Sequence, residues 1–361
     1  YQMSACHAIE DAVGLTLPPE LRTLRRLLYC GEWIESHVLH MFMLHAPDFL
    51  GYPDAIHMAK DHGDLVKASL RMKKAGNAIV NLLGGREIHP INVCVGGFYR
   101  APTAAELRGL LPELSWSRQA LADAMPTLAG LPFPDFERPV ELVSTRHPEE
   151  YPFCEGRLVS NRGLDIDVHD YEKHFEEQHV ARSTALHSVH LGHGAYVVGP
   201  LARFNLCFDE LRPFARRAAE SIGLVPPVAT PFKTVLVRGV ETIQAFDEAI
   251  AIIEAYRPPA VSRVPVPNRA GVGMAATEAP RGTLYHRYRV SADGLIEEAK
   301  IIPPTSQNQK AIEDDLFTIA KRLADMPHDA ATRLAEQTVR NYDPCISCST
   351  HFLRLNLEQE D

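Results

Sequence analysis

The chain has 361 residues, 45% of them hydrophobic and 23% charged, with a formal net charge of -9. That length suits one large or two interlocked domains around a sizeable core. The negative balance argues against a general nucleic-acid binder, which needs a positive field to hold phosphates. No uninterrupted apolar run is long enough to span a bilayer, and no basic-then-apolar leader stands at Tyr1. The seven cysteines are odd in number. Cys6, Cys30, Cys94, Cys154 and Cys207 stand apart from one another, which reads as a reducing cytoplasm rather than a disulfide framework. Cys94, Cys154 and Cys207 are expected to act as small buried hydrophobes.

In chain order, "YQMSACHAIEDAVGL" opens with an amphipathic helical pattern. Apolar residues at Leu21, Leu24, Leu28, Ile34, Val38 and Met41 or Phe42 then predict a helix from near Pro19 to near His45, stopped by Pro47. At 1.5 Å per residue it runs about 40 Å. Its second half, "HVLHMFMLH", is apolar around most of its circumference and is expected to be buried. A second helix is predicted through "AIHMAKDHGDLVKASLRMKKAGNAIVNLLGG", closed by Gly84 and Gly85. "REIHPINVCVGGFYRAPT" reads as a short strand or hairpin, with Pro102 starting another helix. Residues 131–199 read as short strands and loops. "FKTVLVRGVETIQAFDEAIAIIEAYRPP" is a long helical pattern ended by paired prolines. "TEAPRGTLYHRYRVSADGLIEEAKIIPPT" reads as two strands joined by an Asp293-Gly294 turn. Thr305 or Ser306 is expected to cap the next helix, and Asp329 to begin a last one through about Val339. The fold class this predicts is predominantly α with small β pieces (α+β), without repeats or a clean domain linker.

The chemistry-bearing motif is Cys345-x-x-Cys348-x-x-His351 near the C-terminus. Two thiolates at this spacing chelate one soft metal, and the imidazole extends the reach. Asp343-Pro344 before it holds the chain out of the helical region. A four-coordinate site still needs another ligand. On local spacing alone, a metal site, a redox dithiol and half of a structural zinc site all stay open. A thioredoxin-type pair is disfavoured, because the motif does not follow a strand-to-helix junction.

"VRNYDPCISCSTH" resembles the C-terminal signature of nickel-iron hydrogenase large subunits. The likeness is strongest to the cytoplasmic multisubunit branch coupled to NAD(P) or a similar carrier, which includes sulfhydrogenase alpha subunits. "GEWIESHVLHMFMLHAPDFLGY", "GGREIHPINVCVGGFYRAP", "TEAPRGTLYHRY" and "IIPPTSQN" look like family blocks in family order, so the resemblance reaches across nearly the whole chain. It implies a single domain over residues 1–351 with a helical-bundle core. It also implies a tail, "FLRLNLEQED" over 352–361, removed after His351 by a maturation endopeptidase. The family's first Cys pair, in an Arg-x-Cys-Gly-x-Cys context, is not found here. The expectation is a chain lacking its N-terminal segment and so half of the four thiolate ligands.

Carried onto this sequence, the resemblance implies that Cys348 bridges nickel and iron and that Cys345 is a terminal thiolate on nickel. His351 and the main-chain carbonyl of about Ile301 would hold a magnesium-type ion. Arg281 would sit over the metals, steadied by Asp343, with Pro304 and Thr305 beside the iron's cyanide and carbon monoxide ligands. The implied reaction is heterolytic cleavage of hydrogen, with the proton going to Cys345 or, in a competing route, to Arg281. Arginine is a poor base in water, so the thiolate is preferred. Implied partners are an iron–sulfur small subunit, flavin/NAD(P) or other diaphorase-type subunits, and nickel-insertion chaperones. Many relatives carry an Asp near Ser36; Glu35 stands beside it. The alternatives are a non-catalytic structural relative in a respiratory-type complex, a hydrogen-sensing form, and a plain zinc or dithiol module.

Without the resemblance, Arg281 reads as a hairpin surface arginine. His37 and His40 read as core or interface histidines. His187, His190 and His193 have the look of a metal triplet but are read as structural. Gly96 and Gly97 read as a close-approach pair rather than a phosphate loop, since no Lys-Ser/Thr follows.

Overall fold

The computed structural model describes residues 1–344 and Leu355. Cys345, Cys348, His351 and the tail apart from Leu355 therefore lie outside the described residues. The helix Thr234–Ala255 forms the axis, with every residue from Thr234 to Ile250 buried. A helix apolar on most sides must be enclosed by others, and here Pro19–Val38, Leu111–Ala129 and Pro213–Ser221 pack around it. Gly63–Gly84 packs on the outer side of Pro19–Val38.

The long helix departs from its predicted form. It is α-helical over Pro19–Val38, π-helical over Leu39–His45 and α-helical again over Ala46–Leu50. Pro47 therefore does not stop the chain. It falls in the first turn of the new segment, where its missing N–H has no intrahelical partner to lose. The second helix is split into Ala55–Met58 and Gly63–Gly84, and Gly85 alone is its left-handed cap, with φ 84°. Thr103, not Pro102, caps the helix Ala104–Arg108 through a reciprocal bond with Glu106.

Strands Gly271–Ala279, Gly282–Val290 and Ile296–Ile302 form an antiparallel sheet with Gly282–Val290 in the middle. The predicted Asp293-Gly294 turn joins the last two, and the first is an addition to the two strands expected. A four-stranded sheet has the order Asp165–Ile166, Arg157–Ser160, Glu141–Arg146, Tyr196–Val197, the last pair being parallel. Phe175–Gln178 and His187–His190 make a separate antiparallel ribbon. Tyr171, Phe175, Tyr196 and Tyr285 fill a second core between these pieces, Tyr171 stacking on Tyr285 at 4.2 Å.

The helix Pro304–Ala324 starts after Pro303 with no side-chain cap, so neither Thr305 nor Ser306 caps it. Pro304 occupies the first turn and needs no donor there. Gln307 donates to the Thr283 carbonyl at 2.6 Å, and Asn308 bonds both main-chain groups of Val198. Those bonds fix the start of this helix against the hairpin. The five cysteines among the described residues are free and buried, and no helix of the described residues is long and apolar enough to cross a membrane.

Candidate functional site

Arg281 lies in the two-residue turn between Ala279 and Gly282, which pair with each other. Two glycines let the backbone of 198–199 lie directly on this turn. Gly199 has φ 109°, and a Cβ on it would meet the Arg281 carbonyl oxygen at 2.5 Å. Gly282 has φ 136°, and a Cβ there would meet Val198 at 2.6 Å. Both positions combine a left-handed backbone with contact too close for any side chain.

The turn is held from beneath by Arg203, which is fully buried. Its guanidinium donates to the carbonyls of Ala279 at 2.9 Å and Pro280 at 3.0 Å, and to Glu278 Oε2 at 2.9 Å. Its Nε and remaining nitrogen engage both oxygens of Glu241, each at 2.8 Å. Such a fork-on-carboxylate pair fixes orientation as well as charge. Burial pushes the Glu241 carboxyl up, but the Arg203 guanidinium outweighs it and leaves the group at about 2. Tyr151 donates to Glu241 at 2.8 Å, and Arg203 lies over the Trp33 ring at 4.1 Å.

From Glu241 the chain of contacts runs towards the end of the described residues. His37 Nε2 stands 3.0 Å from Glu241, and Arg238 lies 3.0 Å from His37 Nδ1. Arginine can only donate, so Nδ1 accepts and the ring proton sits on Nε2, pointing at Glu241. Burial lowers His37 to about 4 and keeps it neutral. Arg238 reaches Asp343 Oδ2 at 3.4 Å. Asp343 also receives Arg281, at its main-chain oxygen from Nε (2.6 Å) and at Oδ1 from the terminal nitrogen (3.1 Å). Asp343 is buried and holds a left-handed φ of 50°, uncommon for a residue with a Cβ. Burial pulls Arg238 down to about 10, with the Asp343 and Glu241 carboxylates opposing it and the Arg281 and Arg203 charges adding to it.

Among the described residues, several polar atoms around this point have no hydrogen-bond partner: Arg238 Nε and NH2, Asp343 Oδ2, and both ends of the Asn341 amide. Buried donors and acceptors are almost always satisfied, and these stand beside residue 344, where the continuous run of described residues ends.

Among the residues singled out from sequence, Arg281 and Asp343 are in contact. Pro304 and Thr305 lie in the first turn of the helix clamped to the same hairpin. Ile301 is the penultimate residue of the outer strand, opposite His286, and is 41% exposed. Cys345, Cys348 and His351 lie outside the described residues. Glu35 faces Lys73, Glu32 and Glu87, and burial raises it to about 7; it is not among the partners of Arg281. His40 bonds the Arg340 carbonyl at 2.8 Å. Sequence reading missed Arg203, Arg238, Glu241 and Glu278. The available signal was Arg238-x-x-Glu241 inside the otherwise apolar "TVLVRGVETIQAF".

Residues 227–351 match the family model described as nickel-dependent hydrogenase. The sulfhydrogenase 2 subunit alpha of Pyrococcus furiosus is 33% identical over 363 residues, covering 98% of this chain and 84% of that one. The NAD-reducing hydrogenase HoxS subunit beta of Cupriavidus necator is 26% identical, covering 98% of this chain and 82% of that one. In fold, the chain is similar to the crystal structure of an NAD+-reducing NiFe-hydrogenase in the H2-reduced state. The TM-score is 0.84 at 24% identity, covering 97% of this chain and 84% of the other.

Proposed function

Since the chain belongs to the nickel-dependent hydrogenase family, we propose how its own residues serve that chemistry. It is the large subunit of a nickel-iron hydrogenase, an oxidoreductase acting on H2. A nickel-iron centre, when bound, supplies the electrophile that polarises the H–H bond and accepts its electron pair. Cys345 and Cys348 would hold it from this chain, Cys345 as a thiolate on nickel and Cys348 as a thiolate on the nickel-iron pair. Cys345 follows Asp343 by two residues in sequence. The observation that supports the reading is that Arg281 and Arg238 converge on Asp343, two residues before Cys345 in sequence. Free guanidinium donors suit an iron carrying cyanide, and a site walled by arginines suits thiolates.

Arg281 is engaged by Asp343 through both its Nε and a terminal nitrogen. That makes it an electrostatic wall, and the proton goes to the Cys345 sulfur. Asp343 aims both arginines; His37, Glu241 and Arg203 hold the aim from behind. Pro304 and Thr305 line the cyanide and carbon monoxide side. His351 and the Ile301 carbonyl hold a magnesium-type ion. Electrons leave through iron–sulfur clusters on a small subunit, then through flavin or NAD(P) subunits, in the cytoplasm. Nickel-insertion chaperones load the site, and an endopeptidase then removes Phe352 to Asp361.

The test is metal analysis and H2-dependent dye reduction on the purified complex, with Cys345→Ser and Cys348→Ser alongside. Nickel present in the wild type and lost in both variants is expected. Zinc without nickel in an otherwise folded wild type overturns the reading. Intact mass settles the tail separately, since an active complex retaining Phe352 to Asp361 rules out its removal.

A further inference from the structure

The three histidines that sequence spacing sets three residues apart do not stay together. His187 turns towards Glu313, 3.4 Å away. His190 and His193 converge elsewhere. The ribbon strand His187–His190 ends in a tight turn in which the N–H groups of His193 and Gly194 both donate to the His190 carbonyl, at 3.0 and 2.8 Å. That turn lays the His193 ring on the His190 ring, with centroids 4.4 Å apart and planes 8° from parallel.

Both rings direct Nδ1 at one carboxylate oxygen, Glu141 Oε2: His190 at 2.9 Å and His193 at 3.8 Å. Glu141 opens the strand Glu141–Arg146 in the four-stranded sheet and is 0% exposed. Its other oxygen, Oε1, is buried with no hydrogen-bond partner among the described residues. Among the described residues its only ion-pair partners are these two histidines. A carboxylate taken fully out of water with one oxygen unspent is costly. A neutral imidazole gives it one hydrogen bond, and a second ring stacked on the first adds little.

One divalent cation resolves all three groups together. The Glu141, His190 and His193 ligand atoms lie within 4.8 Å of one another. Tetrahedral zinc with bonds near 2 Å wants its ligand atoms roughly 3.3 Å apart. Rotation of His193, whose side chain is 45% exposed, closes that gap. Two imidazoles and a carboxylate suit zinc rather than calcium or magnesium, which prefer all-oxygen cages. The exposed side of His193 leaves a fourth position for water. A second group, His147 with Glu150 and Glu155, has similar proximity, but both its carboxylates already pair with Arg22.

We propose that Glu141, His190 and His193 form a zinc-class metal site that fastens the turn of the ribbon to the four-stranded sheet. The ion crosses between two pieces of β structure that share no ladder, so its contribution is structural. It acts independently of the hydrogen chemistry.

The test compares zinc, nickel and melting temperature in complexes carrying wild-type chain, His193→Ala or Glu141→Gln. The expected result is about one zinc-class ion per chain in the wild type, as a three-ligand site binds, and its loss in both variants with nickel retained. Nickel content reports that the variants fold. Zinc added to chelator-treated wild-type complex should raise the melting temperature, and should not do so for His193→Ala. Equal zinc in all three proteins, or none in the wild type after zinc is supplied, overturns the proposal.

Discussion

Two buried guanidiniums on neighbouring helices, Arg25 and Arg238, meet opposite fates. Arg25 has a carboxylate to itself: Glu10 offers both oxygens at 2.6 Å, and the Cys94 carbonyl adds a third contact. Burial works against its charge, yet the Glu10 pair more than reverses that, and its pKa is raised. Arg238 is equally buried and shares Asp343 with Arg281; burial lowers its pKa to about 10, and among the described residues two of its nitrogens lack a hydrogen bond against one on Arg25. Where each charge has its own partner, the ion pair is architecture. Where two guanidiniums share one carboxylate, positive charge is left over from the architecture.

That contrast can be broken most directly at Arg25. Arg25→Met leaves Glu10 buried without a counter-charge and should cost about 3–5 kcal/mol in denaturant unfolding. The folded fraction should keep its nickel. A loss no larger than that of a surface substitution would erase the distinction. Arg281→Lys tests the other side. A point charge cannot reproduce the two-nitrogen grip on Asp343, and H2 oxidation should fall on the order of 10²-fold with the melting temperature little changed. Full activity in that variant would make Arg281 the surface residue that bare sequence suggests. Gly199→Ala should do both kinds of damage. A Cβ at φ 109° pressed on the Arg281 carbonyl costs roughly 1–3 kcal/mol in backbone strain alone, and it displaces the turn, so stability and turnover should drop together.

The smallest effect is on acid stability. Burial lowers His37 and His286 to about 4 from an ordinary 6.5. The unfolded chain takes up those protons first, so stability should fall as pH drops from 6.5 towards 4 and be flat above. A melting temperature unchanged between pH 7 and 5 would show that these rings are not held neutral.

Elements with strong local signals were legible from sequence. The helix before Val38, the Asp293-Gly294 turn and the glycine-linked pairing of Val93–Cys94 with Gly97–Phe98 all follow from periodicity or turn chemistry. The strand Gly271–Ala279 was not. Its inward positions are glycine and alanine because the opening helix lies on it: a Cβ on Gly273 would come within 2.1 Å of the Ala8 carbonyl. Packing against backbone removes the bulky alternation that announces a strand. In the site, Arg281 and Asp343 were found through the family blocks, and their contact is 62 residues apart in sequence. Arg203, Glu241 and His37 were not foreseen as a unit, since their pairing spans 38 and 204 residues and no local pattern records it. Cap assignment at Thr305 failed because proline can start a helix with no side-chain acceptor at all.

The π-helical stretch Leu39–His45 carries one residue more per turn than its α-helical neighbours need. Winding those same seven residues as α-helix would leave that extra residue unabsorbed. Everything beyond would then swing by about 100° around the axis, pulling Asp48 away from Arg340, which it meets at 2.5 Å. Since Arg340 closes the helix His328–Arg340, three residues before Asp343, losing the wide turn on one helix would unmoor the stretch that leads to the cysteine motif at the far end of the chain.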